Sequence, residues 1–318
     1  MNPSSNPVGR PSRVRRRLID DRAVTEVMID GTWVPWDGGP ADPLGVPAGV
    51  TRRDPSPQGV VGSAAEADLL LPFAPLSFRD FMLYEEHVIA ASRAMARTYL
   101  PRQYLVTALY EKVTRSTFPM FKPNALWYEQ PIYYMSNALT FVPTGSAVAA
   151  PAYADRLDYE LELGCVLNRP LRDATPAEAA RAIGGYVVLN DFSARNVQLR
   201  EMRSGFGPQK AKHFLSSMSA ELVAADTVDV TDLAASVSIN GAVVTTSSTR
   251  APKHSLAEAL AFASRSEQLY PGELFGSGTL PGCSGLEAGH QLHAGDLLEL
   301  EIEGIGTIRH TVAPGGQP

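Results

Sequence analysis

The sequence predicts an α+β protein dominated by β-structure, on three observations. Short apolar or alternating runs recur along most of the chain, YVVLND and LLELEI among them. Helix-start signals are few and widely separated. They do not alternate with strands as repeated βαβ units would, and no internal repeat is visible.

Taken in order, residues 1–20 read as a disordered basic tail: MNPSSNPVGRPSRVRRRLID has an arginine cluster and no apolar stretch of the kind a secretory signal needs. VTEVMIDGTWVPW then reads as a short β-unit, GGPADPLGVPAGV as a Pro/Gly connector, and residues 51–66 as polar loop. Residues 1–68 are therefore expected to form an N-terminal extension, partly disordered with its own short β-unit, and 69–318 the main domain. Residues 77–98, SFRDFMLYEEHVIAASRAMART, have helical composition, with Ser77 as N-cap and Phe81, Met82, Val88 and Ile89 on an apolar face. From about 127 to 167 the runs PIYYMS, ALTFVPTG, AVAAP and LDYELELGCVL predict β-structure. Thr175-Pro176-Ala177-Glu178 is a capping box with Pro at the first helical position, and Gly184-Gly185 is expected to end that helix. YVVLND follows as an apolar strand ending in Asp191. Ser255 and Glu258 form a second capping box opening AEALAFASRSEQLY, and LLELEIEG-IG-TIRHTV predicts two strands around a glycine-rich turn.

Composition excludes several function classes. A net charge of −6 over 318 residues argues against wrapping nucleic acid or an anionic membrane surface. No uncharged apolar run reaches the roughly 18 residues of a membrane span. Cys165 and Cys283 are too few for a disulfide framework or a zinc cage, and a reducing cytoplasm fits best.

The chemistry starts in DYELELG, residues 158–164. On a strand, Glu160 and Glu162 point the same way, with Tyr159, Leu161 and Leu163 opposite. Burying two unpaired carboxylates on one face is costly, so that face either meets water or holds something positive. Asp191, at the end of its strand, is placed to join them. Three carboxylates without nearby thiols or paired histidines suit a hard cation, magnesium before calcium or manganese. On spacing alone, two acids on a solvated strand face are an equally good reading.

The segment after Asp191 makes the resemblance specific. DYELELG, then YVVLNDFSARNVQ, then GPQKAKHF, is similar to the fumarylacetoacetate hydrolase family, whose pattern is Glu-x-Glu, Asp-x-Ser-Ala-Arg-(Asp/Asn)-x-Gln and a Lys-x-Phe. The resemblance runs from about Phe78 to Val312, roughly three quarters of the chain. It implies a mixed β-sandwich roll or barrel with flanking helices, and a homodimer. It also implies a divalent metal, usually magnesium, on Glu160, Glu162 and Asp191, with Asp80 joining in members that carry an aspartate seven residues before a catalytic histidine, here His87. If that segment is helical, Asp80 and His87 share a face. The histidine needs a carboxylate partner. The position used in shorter members is Ala90, and the late-strand glutamate of longer members matches Glu299, following Thr279 of GSGT, which matches as a substrate-binding residue.

Lys212, Arg195 and Gln198 match the family residues around the developing oxyanion, and Tyr134, with Tyr133 as the alternative, matches a substrate-contacting tyrosine. The sequence departs from the pattern at Leu215-Ser216, where the family often has Gly-Thr. It departs again at Ala96, where fumarylacetoacetate-cleaving members have an arginine for a substrate carboxylate, though Arg93 and Arg97 lie nearby. The N-terminal region also looks too short for the full SH3-like domain of those members. The implied activity is metal-dependent hydrolysis of a C–C bond in a 1,3-dicarbonyl or acylpyruvate-like substrate. A 2-oxo acid decarboxylase, tautomerase, isomerase or dehydratase using the same metal-enolate site is the alternative. A silent binding protein is a third reading. His290 and His293 read as surface residues, and the chain lacks a P-loop lysine and a Gly-x-Ser-x-Gly elbow.

Overall fold

The computed structural model describes residues 11–36, 44–47 and 68–315. The loop expected over 51–66 lies outside these residues, as does most of the connector before it. Among the described residues are an eleven-stranded mixed sheet, a four-stranded antiparallel sheet and seven α-helices.

Three antiparallel strands come first: β1 (Arg13–Ile19), β2 (Arg22–Ile29) and β3 (Thr32–Pro35). β1 also pairs with a mid-chain strand, Arg13 opposite Val223, and so extends the main sheet. Within the tail expected to be disordered, Arg13–Ile19 is strand, and the short β-unit expected after it is joined through β1 to the main sheet. The arginines are paired and not solvated: Arg13 meets Glu221 at 2.8 Å, Arg15 meets Glu26 at 2.7 Å, and Val14 between them is buried.

β4 (Phe78–Phe81) and α1 (Glu85–Tyr99) replace the single helix expected over 77–98, and α2 (Pro101–Thr114) follows. Phe78 and Phe81 enter two different hydrophobic cores, which a strand allows and one helix face does not. Glu85 and Glu86 then fill the first helical turn, where the helix dipole favours acids. Asp80 and His87 therefore do not share a helix face. Arg93 on α1 is held by both carboxylate oxygens of Glu111 on α2, each at 2.9 Å, which pins the two helices together.

Next come α3 (Ala125–Glu129), β5 (Tyr133–Ser136), β6 (Phe141–Pro143), β7 (Leu161–Leu167), α4 (Pro176–Ala182) and β8 (Ile183–Asp191). The Thr175–Glu178 capping box forms. Gly184 and Gly185, expected to stop that helix, instead lie inside β8, where a Cβ on Gly185 would fall 2.6 Å from the Val223 carbonyl. The chain continues through α5 (Arg195–Arg203), β9 (Ser216–Met218), β10 (Glu221–Ala224), β11 (Ala234–Ile239) and β12 (Ala242–Ser248). It closes with α6 (Leu256–Ala263), β13 (Leu274–Gly276), α7 (Gly285–Ala288), β14 (Leu297–Ile302) and β15 (Gly306–Thr311). The Ser255–Glu258 capping box opens α6.

The main sheet runs β3-β2-β1-β10-β8-β7-β13-β4-β5, with β9 on β8 and β6 on β9. It ends at β3 and β5 without closing, so the fold is a sandwich with flanking helices and not a barrel. One core lies between the sheets, where Leu161, Leu163 and Cys165 of β7 meet Leu298, Leu300 and Ile302 of β14. A second core, with Val187 and Leu189 of β8, covers the other face. β8 is buried along its whole length, which is why it reads as a continuous apolar run.

Candidate functional site

Strand parity places the acids. On β7, Leu161, Leu163 and Cys165 face the inter-sheet core, which turns Glu162 to the opposite face. Asp191 shares the parity of Val187 and Leu189 on β8, and Asp80 that of Phe78 on β4, so all three carboxylates project to one side. β13 lies between β7 and β4 and presents Gly276 there, paired with Asp80 on one side and Gly164 on the other. A Cβ on Gly276 would fall 2.6 Å from Glu162 Oε2 and 2.7 Å from Asp80 Oδ1. The glycine leaves room for two carboxylates to approach over it. Each of Asp80, Glu162 and Asp191 offers an oxygen within 4.8 Å of the other two.

Glu160 sits beside this group but is engaged elsewhere. Its Oε1 is 2.7 Å from Arg195 Nη2, and its Oε2 pairs with Lys212 Nζ. Lys212 also reaches Asp191 Oδ2 at 2.6 Å, so one ammonium bridges the two acids. Burial works against the Glu160 carboxylate, yet Arg195 and Lys212 outweigh it and hold it well below the usual range. Gln198 Oε1 accepts from Arg195 Nη1 at 2.9 Å, one helical turn along α5. Tyr134, opposite Asp80 on β5, donates its hydroxyl to Asp191, while Tyr133 turns away to pack edge-on against Phe81. Thr279 is buried in the loop after β13.

The arrangement fits a divalent cation. Asp80 Oδ1 and Glu162 Oε2 are buried without a hydrogen-bond partner among the described residues. Burial, then the Asp191 carboxylate, push Asp80 up to about 7, and burial with Asp80 beside it pushes Glu162 well above the usual range. Six acidic side chains (Asp80, Asp158, Glu160, Glu162, Asp191 and Glu287) crowd this region against two permanent cations, Lys212 and Arg195. Uncompensated buried charge of this kind is costly, and an oxygen-only donor set suits a hard ion.

His87 lies in the first turn of α1, buried, and its Nδ1 is 2.8 Å from Glu287 Oε2. An ionised carboxylate only accepts, so Nδ1 carries the proton and Nε2 is left to exchange one. Burial acts to lower this imidazole, but the adjacent Glu287, with Glu160 further off, prevails and holds it above its ordinary value. The partner expected from the sequence, Glu299, is elsewhere. It alternates with the inward Leu298 and Leu300 on β14 and pairs with Arg309 at 2.6 Å on the open face of the small sheet. The pair is His87–Glu287, not His87–Glu299.

Two residues of the site escaped the sequence reading. Glu287 is the fourth residue of Ser284-Gly-Leu-Glu287, a Ser-x-x-Glu helix start, and Ser284 does accept from the Glu287 amide. Asp158 stands two residues before Glu160 in DYELELG and accepts from Arg195 Nε at 2.6 Å. The glutamate was hidden in a stretch rich in glycine and histidine, and the aspartate by its more conspicuous neighbours.

A model of the fumarylacetoacetate (FAA) hydrolase C-terminal region matches residues 109–313, a span holding every site residue except Asp80 and His87. A 2,4-didehydro-3-deoxy-L-rhamnonate hydrolase from Sphingomonas sp. strain SKA58 is 29% identical over 187 residues, 58% of this chain and 65% of its own. A 2-hydroxyhepta-2,4-diene-1,7-dioate isomerase from Mycobacterium marinum superposes with a TM-score of 0.66 at 22% identity, covering 96% of this chain and 100% of its own. Fumarylpyruvate hydrolase from Pseudomonas aeruginosa, in complex with Mn2+ and pyruvate, superposes at 0.54 and 22%, covering 76% and 97%. These two structures share the fold. No helix among the described residues is long and apolar enough to cross a membrane.

Proposed function

The chain belongs to the fumarylacetoacetate hydrolase family, and on that premise we propose that it is a divalent-metal-dependent hydrolase. Its substrate class would be a 1,3-dicarbonyl or acylpyruvate-like acid, cleaved at a C–C bond next to a carbonyl. The observation that carries this reading is the buried His87–Glu287 pair, 2.8 Å apart, close enough to Glu160 for that carboxylate to act on the imidazole, with Lys212 bridging Glu160 to Asp191 of the acidic group Asp80, Glu162 and Asp191.

Bound by Asp80, Glu162 and Asp191, a divalent ion, magnesium in this proposal, would supply Lewis-acid polarisation and a template for two substrate oxygens. Glu287 orients the imidazole and stabilises its charged form. His87 takes a proton from water through Nε2, and the hydroxide adds to the distal carbonyl carbon. Lys212 and Arg195, already held in place by Glu160, Asp158 and Gln198, face the oxyanion without having to reorganise. The oxyanion collapses, the C–C bond breaks, and its electron pair leaves with the other fragment as an enolate. The His87 imidazolium returns the proton to that enolate.

One observation favours a second reading. An imidazole held above its ordinary value carries a proton near neutral pH more readily than a free one. That suits a histidine giving a proton to an enolate, as in a tautomerase, isomerase, decarboxylase or dehydratase of a 2-oxo acid. Acetylpyruvate and oxaloacetate separate the readings. Appearance of acetate and pyruvate from the first, with no accelerated enol–keto exchange of the second, is the expected result. Accelerated exchange or loss of carbon dioxide from oxaloacetate, with acetylpyruvate intact, would replace hydrolysis by the second reading. A homodimer acting in the cytoplasm completes the proposal, and light scattering of the full chain tests the dimer.

A further inference from the structure

Asp158 lies outside the acidic group that would hold a cation, and its carboxylate reaches two parts of the site at once. Oδ2 accepts from Arg195 Nε at 2.6 Å and from the Leu286 amide at 3.2 Å, while Oδ1 accepts from the Tyr159 amide at 3.0 Å. Its backbone exchanges both hydrogen bonds with Ser193, two residues before Arg195. Leu286 precedes Glu287 on α7, and the following Glu160 and Leu161 run along Ser284 and Cys283. One buried carboxylate oxygen thus spans the cation proposed to meet the oxyanion and the short helix whose glutamate holds His87. Nothing larger than glycine fits beside it: a Cβ on Gly285 would fall 2.3 Å from Asp158 Oδ1.

We infer that Asp158 is a positioning residue, setting Arg195 and Glu287 at a fixed separation so that oxyanion stabiliser and base partner act as one unit. The inference rests on the catalytic reading above and deepens it. α7 has only four residues, Gly285–Ala288, too short to hold its own orientation by internal hydrogen bonds. The Asp158 contact to its second residue supplies what the helix lacks. A shift of about 1 Å at a catalytic group costs on the order of 10²-fold in rate, so the tether is predicted to act on kcat.

The test is Asp158→Asn in the full chain loaded with Mn2+, assayed with whichever of acetylpyruvate and oxaloacetate the enzyme turns over. Asparagine has one accepting oxygen, so it cannot serve both the Oδ2 donors and the Tyr159 amide. The expected result is a kcat lower by about 10²-fold, with KM and Mn2+ affinity within about threefold of wild type. The double variant with Glu287→Gln should be about as slow as Glu287→Gln alone, because both changes release the same unit. The proton resonance of His87 Nδ1–H, which the Glu287 carboxylate is expected to move downfield, should shift in Asp158→Asn. Gly285→Ala displaces the same carboxylate without changing its charge and gives a second route to this phenotype if Asp158→Asn does not fold. A folded variant with wild-type kcat and an unshifted resonance, or full multiplication of the two rate losses, overturns the inference while His87→Ala remains impaired. Wild-type turnover in His87→Ala would instead remove the catalytic reading, and the inference with it.

Discussion

Glu287→Gln keeps the shape of the side chain and removes its charge, and the consequence follows from the donors around it. Oε2 accepts from His87 Nδ1 at 2.8 Å and from Ser284 Oγ at 2.6 Å, and Oε1 accepts from the Gly282 amide at 3.2 Å. Glutamine has one accepting oxygen. If it stays with Gly282, the amide NH2 faces His87, the imidazole must accept through Nδ1, and its proton moves to Nε2. That is the nitrogen required to take a proton from water. If the amide is reversed, two N–H donors oppose each other at Gly282, at a cost of roughly 1–3 kcal/mol. The first arrangement loses the productive tautomer, and the second keeps it only at that cost and without the charge that stabilises the imidazolium. A wrongly held tautomer in a serine-protease triad drops kcat about 10⁴-fold, and loss of a placed base typically costs 10²–10⁴-fold. We expect Glu287→Gln to lower kcat by about 10²–10⁴-fold, and to move the limb of the pH profile that reports His87 to lower pH, because the charge holding it up is gone. Glu299→Gln, which breaks only a part-exposed pair with Arg309, should stay within about twofold of wild type. The assay is the loss of acetylpyruvate enol absorbance, or oxaloacetate enol–keto exchange if that is the reaction, at saturating metal. Wild-type kcat in Glu287→Gln, or an equal loss in Glu299→Gln, would refute the reasoning.

Gly276→Ala places a methyl 2.6 Å from Glu162 Oε2 and 2.7 Å from Asp80 Oδ1, and is expected to weaken Mn2+ binding by at least about 100-fold in calorimetry, more than loss of a supporting partner does. Unchanged affinity in a folded variant would place the cation elsewhere. His310 is buried beside Ser146 and pushed down to about 4. Its folded value lies below its unfolded one, so its contribution is complete above about pH 6.5 and is lost as pH falls from there to about 4, on the order of 3 kcal/mol. Urea midpoints at pH 7 and pH 4.5 should differ less in His310→Gln than in wild type, and equal differences would show that this group does not drive the acid loss.

The parts legible in the sequence are those whose signal is local. The capping boxes at Thr175 and Ser255 form as spaced, β8 ends at Asp191, and the closing strands β14 and β15 pair around their glycine-rich turn. The failures share a cause: a residue's role was set by a partner far along the chain. The arginines of β1 looked like a solvated tail because Glu221, which pairs with Arg13, is 208 positions away. Gly184-Gly185 looked like a helix stop because the close approach of Val223 was invisible. Asp80 was assigned a helix face because its strand partners on β13 and β5 lie well downstream. Glu299 was expected from the resemblance to longer family members, and Glu287 went unnoticed because α7 is four residues long and leaves almost no periodicity to read. The Glu-x-Glu pair itself was visible, but its division was not: Glu162 joins the cation-fitting group, and Glu160 is taken up by Lys212 and Arg195.

The mechanism proposed above stands on one divalent ion among the three buried carboxylates of Asp80, Glu162 and Asp191. Anomalous diffraction from crystals of the full chain grown with Mn2+ tests it most directly. One strong peak per chain is expected, bonded to oxygens of Asp80, Glu162 and Asp191, over Gly276. A map with no peak there, or a peak held by other residues while these three stay protonated and paired among themselves, would contradict it.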